Sequence, residues 1–189
     1  MSTVHEPRQL RMTVADFLAW PGDGTAKRYQ LVEGEPQAMA PASTAHGAIQ
    51  AQLAYLITRC LIETGRPCRA VTEPAVAPRL RANVNLRVPG IGVTCTPIEP
   101  GQVVLTDPVL LVEILPPGNE PDTWENVWTY ATIPSVQEIL VVHSTRIAAE
   151  LLRRCLGPRS PKRSGGTPRC IWRASTSAAP SPNSTPERN

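Results

Sequence analysis

The stretch Val109 to Pro117, VLLVEILPP, sets a single acid, Glu113, inside a run that is otherwise apolar. A short unbroken apolar run closed by two prolines reads as a strand buried on both faces. A bare carboxylate in such a strand costs several kcal/mol unless it is paired, hydrogen-bonded, protonated or bound to a cation. Two readings of Glu113 stand equal on these residues. It is a metal-binding acid near the end of a central strand, or a carboxylate held by arginine or backbone donors.

Outward from that strand, the pattern alternates helices with extended runs. Thr13 is placed to cap a short helix carrying Val14, Phe17 and Leu18, which Pro21 and Gly22 end. RYQLVEGEPQAMAPA, from Arg28 to Ala42, predicts a β-hairpin turning at Glu33-Gly34. Ser43 then caps the longest helix, whose Ala45, Ile49, Leu53, Leu56, Ile57 and Cys60 form a stripe that can pack on a sheet until Gly65 and Pro67 stop it.

CRAVTEPAVAP and NLRVPGIGVTC are further proline-broken strand runs. A second helix opens at Pro121-Asp122, with Trp124, Val127, Trp128 and Ala131 on one face, and ends before Pro134. Strands at Glu138 to Val142 and Ile147 to Arg154 complete an α/β (α+β) order, a mixed sheet with flanking helices in a single domain.

The chain has 189 residues, 41% of them hydrophobic, with 21 prolines and a formal charge of +3. The excess of base is not spread evenly. Residues 157–189 hold six basic side chains and one acid, Glu187, whereas the preceding body has 13 basic and 15 acidic groups. A basic charge argues for nucleic acid only where it belongs to the folded surface. Beyond Leu156, Ile171 is the only Leu, Ile or Val, so this part cannot bury enough apolar area to offset ordering and is expected as a disordered tail. The domain is thus expected over 1–156 and the tail over 157–189.

No run of about 18 apolar residues is present and the N-terminus lacks an apolar leader core, which predicts a cytoplasmic protein without membrane attachment. Cys60, Cys68, Cys95, Cys155 and Cys170 form no zinc-like spacing, and an odd count fits a reducing compartment better than a disulfide framework.

RVPGIGVTC at Arg87 to Cys95 followed by LLVEIL resembles the Uma-type restriction-endonuclease family, a branch of the PD-(D/E)XK nuclease superfamily. MTVADFLAW at Met12 to Trp20, RYQLVEGE at Arg28 to Glu35, MAPASTAHG at Met39 to Gly47 and YATIPSVQEILVV at Tyr130 to Val142 agree in order, so the resemblance spans about residues 10–154. It implies a restriction-endonuclease-like fold, Mg²⁺-dependent hydrolysis of nucleic-acid phosphodiesters, and DNA as partner, with a homodimer left open. Two carboxylates would hold Mg²⁺ and a lysine would stabilise the transition state.

Carried over residue by residue, the resemblance assigns the metal and catalytic strand acid to Glu113. Pro89 matches the proline of the Pro-Asp pair, but Gly90 stands where the metal-binding aspartate belongs. Asn126 stands near the position of the helix lysine, and Gln30 where the hairpin commonly has Glu. His46 and Arg87 are the implied substrate contacts, and Arg79, Arg81 and Arg87 a local basic group. Asp107 lies six strand residues before Glu113, about 20 Å away, too far to share an ion. Glu33, Glu73 and Asp122 are the other acids that could compensate, each read first as a solvated loop charge.

These substitutions imply an endonuclease impaired in catalysis. Two alternatives stay open: a non-catalytic nucleic-acid- or protein-binding module on the same fold, and a degraded gene product. The resemblance also gives the tail a second reading, since relatives continue with a strand and a short helix. Abrupt replacement of a hydrophobic pattern by Arg, Pro and Ser is how a GC-rich gene reads after a shift of frame.

Overall fold

In a computed structural model, which describes residues 11–118, 120–154 and 173–176, the chain begins with α1 (Val14–Ala19). Thr13 caps it reciprocally: its hydroxyl accepts from the Asp16 N–H at 3.2 Å while the Asp16 carboxylate accepts from the Thr13 N–H at 2.9 Å. β1 (Tyr29–Val32) and β2 (Glu35–Ala38) then form an antiparallel hairpin. Its two-residue turn needs positive φ at both positions. Glu33 adopts 52° and Gly34 84°, as the Glu-Gly pair predicts.

α2 (Thr44–Glu63) leads into β3 (Arg69–Thr72) and β4 (Ile91–Thr94). The buried run becomes β5 (Pro108–Leu115), followed by α3 (Glu120–Tyr130), β6 (Glu138–His143) and β7 (Ala149–Arg153). Strands β3 to β7 form a five-stranded mixed sheet in sequential order, which β8 (Arg173–Thr176) extends at the β7 edge. Only β5 and β6 run parallel, because α3 carries the chain back across the sheet between them.

Alternation along β5 gives its two faces different jobs. Leu111 and Leu115 enter the main core with Val127 and Tyr130 of α3, Ile139 and Val141 of β6, and Leu152 of β7. Glu113 lies between those two leucines on the same face. The end of α3 is fixed by Arg154, whose guanidinium donates to the carbonyls of Ala131, Ile133 and Val136 at 2.7–2.8 Å. This ties β7 to the turn that sets the register of Tyr130.

The mixed α/β fold agrees with the sequence, but several details differ. No residue of α2 is fully buried, and Leu56 and Cys60 point outward; Ile49, Leu53, Ile57 and Leu61 are the half-buried stripe. Trp128 is exposed on α3, although its spacing placed it with Trp124 on the inner face.

Cys68 and Cys95 form a disulfide. Arg69 pairs with Thr94 across β3 and β4, so these cysteines fall opposite each other one position further out, with Cα atoms 3.9 Å apart. Of the expected tail, residues 173–176 pair as β8, and the remainder of 157–189 lies outside the described residues.

Gly92 offers a test of how Leu105 and Pro74 pack over β4. A Cβ there would sit 2.7 Å from Leu105 Cδ2 and 2.9 Å from Pro74 Cγ, inside the closed core. Gly92→Ala should therefore lower unfolding stability by about 1–3 kcal/mol through overpacking, read from urea midpoints. An unchanged midpoint would mean that Leu105 and Pro74 do not close over Gly92 as described.

Candidate functional site

The site is built around one carboxylate that β5 carries into the core. Glu113 is 8% exposed. The Tyr130 hydroxyl, at the last residue of α3, donates to its Oε1 at 2.6 Å, and the Gly90 N–H bonds the same carboxylate. Glu113 is thus held by a side-chain and a backbone donor.

Gly90 immediately precedes β4, and Ile91 pairs with Val112. Its carbonyl accepts from Gln50 Nε2 at 2.7 Å and from the Glu73 N–H at 2.9 Å. A Cβ on Gly90 would lie 3.3 Å from the Val112 carbonyl oxygen. An aspartate at this position needs the β4–β5 pairing to give by a few tenths of an ångström.

Burial pushes Glu113 up to about 7, against the two hydrogen bonds that favour the ionised form. Tyr130 is pushed well above its ordinary value, first by burial and then by the neighbouring carboxylate.

Arg87 is 4% exposed and fixed in backbone by reciprocal bonds with Val76 at 2.8 and 2.9 Å. Its Nη2 stands 4.0 Å from Glu125 Oε1, an ion pair too long for a hydrogen bond. Its Nε is buried without a hydrogen-bond partner among the described residues. Burial lowers its pKa, opposed by Tyr130 and then Glu125, and the guanidinium remains charged.

The other expected residues are distributed unevenly. His46 lies one helical turn before Gln50, on the α2 side of Gly90, with its pKa lowered by burial and raised by Glu73. Asn126 is half-buried one turn before Tyr130. Arg79 is exposed. Arg81, grouped with Arg79 and Arg87 in the sequence, is paired with Glu33. Its charge is locally neutralised.

Nor do the alternative acids gather at Glu113. Asn85 and Arg81 hold Glu33 and keep its carboxyl below the usual range. Glu73 pairs with Arg28, and Asp122 is exposed on α3. No group of three or more His, Cys, Asp or Glu able to hold a metal occurs among the described residues.

Sequence reasoning missed Tyr130, Gln50 and Glu125. Tyr130 is a fully buried aromatic whose polar tip needs a partner, and that need was the available signal.

The family model Uma2, described as "Putative restriction endonuclease", matches residues 14–164. A crystal structure of a putative nuclease belonging to DUF820 from Anabaena variabilis is 19% identical, with 89% of this chain and 86% of that chain covered and a TM-score of 0.64. At that identity the likeness concerns the fold. No curated protein matches the chain.

The raised pKa of Glu113 makes a signed prediction. Between the ordinary carboxyl value of 4.5 and about 7 the folded protein holds a proton that the unfolded chain has released. Its contribution therefore favours folding below that window and is lost as pH rises through it, by about 3 kcal/mol in total. Glu113→Gln lacks this dependence. Urea unfolding at pH 5 and pH 7.5 should show wild type losing more stability, relative to its own pH 5 value, than the variant. Parallel losses would remove the proton from Glu113.

Proposed function

The chain belongs to the Uma2 family, and from that membership we propose that it is a nucleic-acid-directed nuclease-fold protein whose metal-dependent hydrolysis of phosphodiesters is impaired. The observation that carries the proposal is the state of Glu113. Its carboxylate is engaged by Tyr130 and Gly90, burial favours its protonated form, and no group of three or more metal-ligating side chains occurs among the described residues.

The residues do not fit the Mg²⁺ that the family resemblance implies. Mg²⁺ requires oxygen ligands in near-octahedral order and is usually anchored by one or two carboxylates with substrate phosphates and water. Gly90 contributes none, and the nearby Gly90 carbonyl is already bonded to Gln50 and Glu73. Asn126 has no charge to offer a transition state. Absence of one such ligand or cation commonly reduces rate by orders of magnitude.

A second reading, a nucleic-acid-binding module without catalysis, is favoured by Arg87, a buried cation with one donor unpartnered among the described residues. Both readings place the protein at DNA. The cytosol is the proposed compartment from family membership, a reading that the Cys68–Cys95 disulfide opposes; among the described residues no helix is long and apolar enough to cross a membrane.

Cleavage of plasmid and linear DNA with Mg²⁺ or Mn²⁺ separates the readings. Wild type is expected to cut at least about 100-fold more slowly than the Gly90→Asp/Asn126→Lys double variant, the size of effect that such groups supply. Adding Glu113→Ala to the double variant should abolish its cleavage. A wild type that cuts as fast as the double variant would overturn the impairment. Cutting unaffected by Glu113→Ala would place the reaction elsewhere.

A further inference from the structure

We propose that the Cys68–Cys95 bond is a reversible redox site, opened and closed by exchange with an anionic low-molecular-weight thiol of the glutathione class. It needs neither metal nor nucleic acid, and shares with the reading above only the reducing compartment.

Compartment and exposure both bear on this bond. In a reducing cytosol a disulfide that forms is as a rule transient and redox-sensing rather than permanent. Cys68 is 7% exposed, whereas Cys95 is exposed, so an incoming thiolate meets the Cys95 side of the bond first. β3 is the outermost strand of the sheet, and none of its residues is fully buried. A small thiol therefore approaches at an edge, without entering the core.

The charge beside the bond favours an anion. Arg69 Nη1 donates to the Cys68 carbonyl at 3.2 Å, and Arg66 is exposed two residues before Cys68. Neither arginine has an acid paired with it among the described residues; Glu63 is paired with Arg59 instead. Two cations here draw in an anionic thiol and stabilise a departing thiolate.

The exchange balances with that thiol alone. The thiolate RS⁻ bonds to Cys95 Sγ, the protein S–S bond breaks, and its electron pair leaves on Cys68 as a thiolate, which takes a proton from solvent. A second RS⁻ attacks the outer sulfur of the mixed disulfide, releasing RSSR and the Cys95 thiolate, which is protonated in turn. Two RSH thus become one RSSR while the protein gains two thiols. The reverse sequence closes the bond, with RSSR as oxidant.

Opening the bond reaches the Glu113 site through one strand pair. Cys68 faces Cys95 at one end of the β3–β4 ladder, the pairs Arg69–Thr94 to Thr72–Ile91 follow, and the Glu73 N–H to Gly90 carbonyl bond of 2.9 Å closes the other end. A covalent link on so short an edge strand restrains fraying along its length. Gly90 in turn donates to Glu113.

The test equilibrates the full chain in glutathione buffers of graded reduced-to-oxidised ratio, then alkylates it and maps cysteines by peptide mass spectrometry. Reduced glutathione should open Cys68–Cys95 in the folded chain, and oxidised glutathione should restore the same pairing. A bond inert to reduced glutathione overturns the proposal and makes the link permanent. Cys68→Ser should take up glutathione at Cys95, while Cys68 in Cys95→Ser should react at least about ten-fold more slowly. Equal rates would contradict attack at Cys95.

Arg66→Glu/Arg69→Glu should slow opening by glutathione about ten-fold and leave opening by neutral β-mercaptoethanol within about two-fold. Equal slowing of both thiols overturns recognition of an anion. On reduction, hydrogen exchange of the Glu73 amide in wild type should speed up about ten-fold; unchanged exchange overturns the coupling to Gly90. Should a variant fail to fold by circular dichroism, the wild-type titration and exchange rates decide.

Discussion

A carboxylate forced into the middle of a core strand must be given partners, and the packing around β5 is organised by that need. Glu113 lies between Leu111 and Leu115 on the face covered by α3, so its neighbours must supply donors without admitting water. Tyr130 supplies one by ending α3 with a hydroxyl 2.6 Å from the carboxylate. That position holds only while the turn after α3 is fixed, and Arg154 fixes it through three carbonyls. The second donor, Gly90, is steadied from behind by Gln50 and by the Glu73 backbone. Elements as distant in sequence as α2 and β7 thus converge on one buried acid.

Much of this order could be read from local pattern, because local pattern is where the constraint is strongest. An apolar run between turn signals fixed β5, Thr13 and Ser43 marked helix starts, and an acid among Leu, Val and Ile singled out Glu113. Position 90 as a place that lacks an acid is legible only through the family resemblance, not through local pattern. Tyr130 escaped notice because at the end of an amphipathic helix a tyrosine reads as ordinary core, and its hydroxyl acquires meaning only when β5 is beneath it. Gln50 is similar: its partner is a carbonyl 40 residues away.

The misread features share a cause. Leu56, Cys60 and Trp128 were given to inner faces by spacing alone, yet helical period does not say how wide the covered stripe is. The Cys68–Cys95 bond depends on β3–β4 register, and five cysteines do not determine their own pairing. The expectation of a reduced set came from an odd count. Counting says nothing about which two will be brought opposite each other by a strand pair.

Placing charge in three dimensions changes what the net value of +3 implies for a nucleic-acid partner. Arg28 and Arg81 are matched by Glu73 and Glu33, so much of the apparent basic character near the hairpin is neutralised where it stands. Arg87 differs because its acid is exposed and too far for a hydrogen bond, while its own Nε is buried and without a partner among the described residues. The same asymmetry separates it from Glu113, whose charge is relieved by a proton and two donors. The acid is answered by a proton and two donors, whereas the base faces only a carboxylate 4.0 Å away, so burial is compensated far more completely at Glu113 than at Arg87.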